Sequence, residues 1–422
     1  MAIGPIPVDF ILFALTLLGV AVFHNHTLRV AVTGMLVIAV YKLLLGDFAG
    51  TPGLVGLAKL LSHEWVTLAN LLGLLLGFAL LANHFEQSRF TDRLPALLPD
   101  DWKGGFVLLV LIFVLSSFLD NIAAAMIGGA MAHVLYRGRV HVGYLAAIVA
   151  ASNAGGAGSV VGDTTTTMMW IAGVPARQVL DAYVGAGIAL LFFGVIAARQ
   201  QHAFQPITKD NPQGVTVDFG RLAVVGIVLV AAIATNLAFN LHGSPLLQAW
   251  PLIGIAVWIA LLATAPYRRP DWTLLPSALR GSVFLLSLVM CAAMMPVRAL
   301  PEPSVLTTLG LGFVSAVFDN IPLTALALRQ GGYDWGFLAY AVGFGGSMIW
   351  FGSSAGVALC TMYPEGRSVV AWLRGGWHVA VGYVIGFAVL ATVLGWDPTA
   401  HAHHGQPSTA AVPAAAPIPG TP

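Results

Sequence analysis

The chain has 422 residues, 58% of them apolar and 9% charged, with a formal net charge of +1 from 19 Lys and Arg against 18 Asp and Glu. A soluble domain carries about 25% charge, so a water-soluble globule of this composition would expose large apolar areas and aggregate. The balanced charge leaves no basic footprint for nucleic acid, and Cys291 and Cys360, far apart and in no C-x-x-C spacing, leave a disulfide framework or thiolate metal site unsupported. The composition fits an all-α polytopic membrane protein whose partner is the lipid bilayer.

In chain order, runs of about 17–25 mostly apolar residues, long enough to cross the hydrocarbon as helices, fall at 8–23, 30–47, 65–83, 143–173, 176–198, 220–240, 250–266, 280–297, 335–362 and 369–395. Two further stretches, 105–135 and 304–328, are too long for one crossing and are interrupted by Asp-Asn, which predicts a hairpin in each. No Lys or Arg precedes the first run and no small-residue cleavage pattern follows it, so no signal peptide is expected. The charged stretch 84–104 reads as a loop and 199–219 as a linker between two halves. Residues 397–422, rich in Pro, Ala and Thr, read as a disordered tail, with a weak metal-binding role for His401, His403 and His404 as the alternative.

The halves match each other. Ser117-Phe118-Leu119-Asp120-Asn121-Ile122 corresponds to Ala316-Val317-Phe318-Asp319-Asn320-Ile321. Farther on, the run from Gly155-Gly156 to Gly162-Asp163 corresponds to the run from Gly345-Gly346 to Gly352-Ser353. The expected organisation is a first repeat over 1–198, a cytoplasmic linker over 199–219, a second repeat over 220–396 and the tail. Each repeat holds three spans, a hairpin (105–135; 304–328), a Gly-interrupted span (143–173; 335–362) and a last span. Five crossings is an odd number, so the second repeat enters the membrane inverted. Placing 84–104 in the cytoplasm puts fourteen of the nineteen basic residues on that side, in keeping with the positive-inside bias, and puts both termini outside.

Inverted repeats with interrupted helices are characteristic of secondary transporters, whose sites lie near the midplane. Glycine disfavours a helix interior, so the runs 153–158 and 343–347 are expected to be unwound. Backbone freed at that depth must line a cavity or be buried in protein. Asp120, Asp163 and Asp319 are carboxylates at membrane depth, which marks them as functional candidates. Each also has a purely structural reading as a helix N-cap, Asp163 before Thr164-Thr165-Thr166-Thr167 and the other two before the second arms of their hairpins; a cap can bind an ion as well. Ser116, Ser152, Asn153, Ser353 and Ser354 are candidates either for ion ligands or for satisfying freed backbone groups. An oxygen-rich set suits a hard cation. No H-E-x-x-H, nucleophile elbow or G-x-x-x-x-G-K-[ST] occurs, so neither an enzyme nor intrinsic use of ATP is expected, and no cofactor is implied.

Leu119-Asp120-Asn121-Ile122, Ala151-Ser152-Asn153-Ala154-Gly155-Gly156, Gly162-Asp163-Thr164-Thr165-Thr166 and Asp319-Asn320-Ile321-Pro322 resemble the NhaD-type sodium/proton antiporters of the ion transporter superfamily. That superfamily also holds divalent-anion/sodium symporters, citrate transporters and arsenite permeases. The resemblance covers about 8–395. It implies a homodimer in the bacterial inner membrane, with two re-entrant hairpins in a transport part that moves as an elevator against a scaffold. Carried over by position, the first ion site would use Asp120, Asn121, Ser152, Asn153 and Asp163, with Asp120, Asn121 and Asp163 holding the sodium and Thr165 and Thr166 as further ligands or proton-network members. The second half would offer Asp319, Asn320, Ser353 and Ser354. The anion symporters carry Ser-Asn-Thr at both hairpin tips where this chain has Asp-Asn, and no arginine at these motifs could clamp a carboxylate. The leading expectation is therefore exchange of sodium or lithium for protons by competition at the aspartates. A sodium-coupled citrate or dicarboxylate symporter and an arsenite-type permease are the alternatives.

Overall fold

In the computed structural model the described residues are all except 1, 4–5, 24–25, 49, 91–97, 209–215, 242–245 and 399–422; His401, His403 and His404 lie outside them. A short ribbon of β1 (Ala2–Ile3) and β2 (Ile6–Pro7) precedes a helical chain. The helices are α1 (Val8–Val22), α2 (Thr27–Leu45), α3 (Gly53–Gln87), α4 (Trp102–Ser116), α5 (Asn121–Leu135), α6 (Val142–Ala157), α7 (Thr164–Ile171), α8 (Ala176–Leu180) and α9 (Ala182–Phe204). They continue with α10 (Phe219–Leu241), α11 (Leu246–Ala249), α12 (Leu252–Thr264), α13 (Leu275–Ala293), α14 (Val305–Ser315), α15 (Asn320–Gln330), α16 (Trp335–Gly345), α17 (Ser354–Met362), α18 (Val369–Gly375) and α19 (Trp377–Val393). Five described helical stretches are long and apolar enough to cross a membrane by themselves, and α18 with α19 forms a sixth that is bent by 59°. This is a multi-pass membrane protein.

The remaining expected spans, 8–23, 143–173, 250–266 and 335–362, and the two expected hairpins are delivered as shorter pieces. α4, α5, α6, α14 and α16 have 11–16 residues, or about 16–24 Å at 1.5 Å per residue, short of the roughly 30 Å hydrocarbon core. At the other extreme, α3 has 35 residues and starts well before the 65–83 run. Its extra turns carry Glu64, whose carboxylate meets Arg329 Nη1 of α15 at 2.8 Å. The α9 helix likewise runs past 198 to Phe204, because the Gln201 side chain is buried, accepting from His141 N at 2.7 Å and donating to the Arg139 carbonyl at 3.1 Å.

Two packed groups result. α4–α9 and α14–α19 surround one core, while α1, α2, α3, α10, α12 and α13 pack beside it. At the centre of the first group, α6 is buried on every face from Gly143 to Ala157, and α16 from Trp335 to Gly345. A helix apolar all round belongs in an interior. These two helices touch each other, and both reach farther than the expected unwinding of 153–158 and 343–347 allows. The helix continues through Gly155 and Gly345, and the true breaks are 158–163 and 346–353. Here glycine supplies close approach and not disorder. A Cβ on Gly155 would strike the Phe113 carbonyl of α4, and one on Gly345 would strike the Gly312 carbonyl of α14.

Candidate ion-binding site

Four helices begin at one place, and each begins with a polar cap. Asp120 Oδ1 accepts from Ile122 N at 3.5 Å to start α5, and Asp319 Oδ1 accepts from Ile321 N at 3.0 Å to start α15; both caps have φ −51° and ψ 140°. Asp163 Oδ1 accepts from Thr165 N at 2.8 Å to start α7, and Ser353 Oγ accepts from Gly356 N at 3.3 Å to start α17. These are ordinary N-cap bonds, which satisfy the orphan amides of a first turn, and the positive ends of the helix dipoles meet the carboxylates there.

Capping occupies only one oxygen of Asp163. Its Oδ2 accepts from Asn121 Nδ2 at 3.0 Å and from Asn320 Nδ2 at 3.4 Å, amides from the two Asp-Asn turns. Asn153, fully buried in α6, accepts from Asn121 Nδ2 at 3.1 Å and donates to Ser347 Oγ at 3.0 Å and Ser353 Oγ at 3.1 Å. Ser354 Oγ donates to Asp319 Oδ2 at 3.3 Å, and Thr165 Oγ1 to Asp163 Oδ1 at 2.9 Å. Asn121, Asn153, Asp163, Thr165, Asn320, Ser347 and Ser353 thus form one hydrogen-bonded cluster; the Asp319–Ser354 pair adjoins it through the chain neighbours Asn320 and Ser353, and Asp120 through a cavity it lines together with Asp163.

Two of the expected residues point elsewhere. Ser152 Oγ donates to the Val149 carbonyl of its own helix at 2.9 Å, while the Ser152 carbonyl accepts from Ser116 Oγ at 2.5 Å. Thr166 Oγ1 donates to the carbonyls of Ser159 at 2.5 Å and Asp163 at 2.9 Å, tying down the break itself. These hydroxyls satisfy backbone groups and support the site from behind. Conversely, Ser347 was not foreseen as a member. Its only signal is that it follows Gly345-Gly346 where Ala157 follows Gly155-Gly156.

The family model described as "citrate transporter" matches residues 10–345, most of the chain and all of these site residues except Ser347, Ser353 and Ser354. The chain belongs to the citrate transporter family. The resemblance to NhaD-type antiporters read from the four motifs is supported by its curated relatives. Sodium/proton antiporter 1 of Arabidopsis thaliana is 28% identical over 324 residues, covering 68% of this chain and 53% of that protein. The Na(+)/H(+) antiporter NhaD of Vibrio parahaemolyticus is 27% identical over 391 residues, covering 76% and 90%, and that of Halomonas elongata is 25% identical over 373, covering 73% and 72%. The chain therefore spans about half the length of the plant relative and most of the Vibrio one.

In this citrate transporter family member, Asp163 is buried while Asp120 and Asp319 are half-buried. A carboxylate at such depth is stable as an ion only when hydrogen-bonded or paired with a cation. The amides of Asn121 and Asn320, the hydroxyls of Thr165 and Ser354 and the helix N-termini supply part of that compensation. A bound cation or proton would supply the rest.

Proposed function

We propose that this protein exchanges sodium, or lithium, for protons across the bacterial inner membrane, with cation and proton competing for Asp163 and its neighbours Asp120 and Asp319. The observation that carries this reading is the convergence of Asn121 and Asn320, one from each half of the chain, on a single oxygen of Asp163. A hard cation prefers oxygen ligands, and the carboxylates, amide oxygens and hydroxyls gathered here are of that kind. The relatives named sodium/proton antiporter support the same reading. When neither ion nor proton is bound, the uncompensated charge at membrane depth costs several kcal/mol. The empty site is then barred from crossing, and exchange becomes obligatory.

In this proposal 1–198 and 220–396 are inverted repeats and the Asp-Asn hairpins are re-entrant. The α4–α9 and α14–α19 group slides as an elevator against the other helices, which hold a homodimer together. Two ion pairs fit the assigned grouping of segments by side, since each joins residues that the topology puts together: Glu64 with Arg329, and Asp218 with Arg268 at 3.0 Å. The test is a pH-sensitive dye in proteoliposomes containing only this protein. Sodium or lithium should drive proton movement with no organic solute present. Movement that requires citrate or another dicarboxylate would favour sodium-coupled symport, the second reading, which rests on the description of the matched family.

A further inference from the structure

The space beside Asp120 and Asp163 is larger and less polar than a bare monovalent ion needs. It is a cavity of about 270 Å³ bounded on one side by the two carboxylates and on the other by α3. The α3 wall is one helical stripe: Leu71, Leu74, Leu75, Phe78, Ala79 and Ala82 follow the i, i+3, i+4, i+7, i+8 rule for residues sharing a face. Ala79 and Ala82 leave room there that larger side chains in the same stripe would fill. An inorganic cation draws its ligands from oxygen, and this wall presents only hydrocarbon. A cation that carries an alkyl group would satisfy both walls at once.

We propose that the cavity binds lipophilic organic monocations of the alkylguanidinium class, with the charged head on the Asp120 carboxylate, beside Asp163, and the alkyl chain along the α3 stripe. A guanidinium suits this position because its planar fork of N–H donors matches a carboxylate. Burying the chain against Phe78, Ala79 and Ala82 adds an attraction that sodium cannot have. The proposal rests on the same carboxylates as the sodium reading, but it concerns the apolar half of the cavity, which that reading leaves unused.

The test is calorimetric titration of the purified full-length protein, at alkaline pH and without sodium, with guanidinium and then methyl- to hexylguanidinium chlorides. Affinity should rise about fourfold per methylene (~0.8 kcal/mol) and level off once the cavity is full. Ala79→Leu or Ala82→Leu should bring that levelling to a shorter chain, and Asp120→Asn should weaken every member at least about tenfold. A flat series in the unmodified protein would mean that water fills the space, and would overturn the proposal even if neither leucine variant folds. A rise that persists unchanged in Asp120→Asn would be partition into detergent, and would overturn it too. Adding sodium separates the two proposals. A steep series that sodium does not displace would count against the sodium reading and keep the cavity; sodium-driven proton movement with a flat series would do the reverse.

Discussion

The breaks after α6 and after α16 differ in length, six residues against eight, and in chemistry, yet they end on the same cap conformation. Asp163 (φ −141°, ψ 143°) and Ser353 (φ −140°, ψ 153°) cap the next helix from the same conformation. Ser116 Oγ donates to the Ser152 carbonyl behind one break, and Ser315 Oγ donates to the Val342 carbonyl behind the other. The glycines at 155 and 345 let each helix pass against a neighbouring carbonyl. Beyond that difference in length, the cap residue and its surroundings set the two apart. A carboxylate in the first break gathers two asparagines, whereas a hydroxyl in the second receives Asn153 Nδ2. The lesson is that any good N-cap residue can hold such a break, so capping alone does not account for a carboxylate in one break and a hydroxyl in the other.

The largest expected effect tests that inequality. Asp163→Asn keeps a capping side chain but removes the charge, and sodium-dependent proton movement in proteoliposomes should fall at least about a hundredfold, since charged hydrogen bonds contribute roughly 1.5–3 kcal/mol each. Activity within a few-fold of the unmodified protein would reduce Asp163 to a cap. Asp120→Asn should likewise lose exchange while still inserting into the membrane, whereas Asp120→Glu should retain some exchange with an altered sodium-to-lithium preference. Wild-type exchange by Asp120→Asn would move the cation site elsewhere.

The close approach shared by the two breaks is tested by Gly155→Ala and Gly345→Ala. Each added methyl meets a carbonyl and should destabilise by about 1–3 kcal/mol or more, read as a fall in detergent-stable protein of similar size for both. If only one of them is harmful, the two breaks are not equivalent. Ser353→Ala should be milder, lowering sodium affinity about three- to tenfold through the lost cap and the lost Asn153 partner. The smallest effect lies outside both breaks. Hydrogen bonding from Arg268 holds the Asp218 carboxyl below its ordinary value. This stabilisation is present above the unfolded carboxylate range, near 4, and is lost as pH falls through the lower folded value. Asp218→Asn should therefore be slightly less heat-stable than the unmodified protein at neutral pH, match it in acid, and exchange sodium normally.

How much of this was legible depends on distance along the chain. The apolar runs, the two Asp-Asn interruptions and the three carboxylates follow from composition and local pattern, because lipid demands long apolar helices and penalises isolated charge. The capping roles of Asp120, Asp163 and Asp319 are also local, since a cap bonds an amide only two residues away. The partners of Asp163 Oδ2 are not local: Asn121 and Asn320 stand 42 and 157 positions away, and Asn153 reaches Ser353 across 200. Nor could residue type show that the Ser152 and Thr166 hydroxyls turn to carbonyls, because a hydroxyl bonds a backbone group or an ion equally well. The glycines show the limit most plainly. Helix propensity argues for unwinding at Gly155 and Gly345, but burial against Phe113 and Gly312 keeps both helical, since close packing of two backbones outweighs the roughly 1 kcal/mol preference of glycine for the open chain.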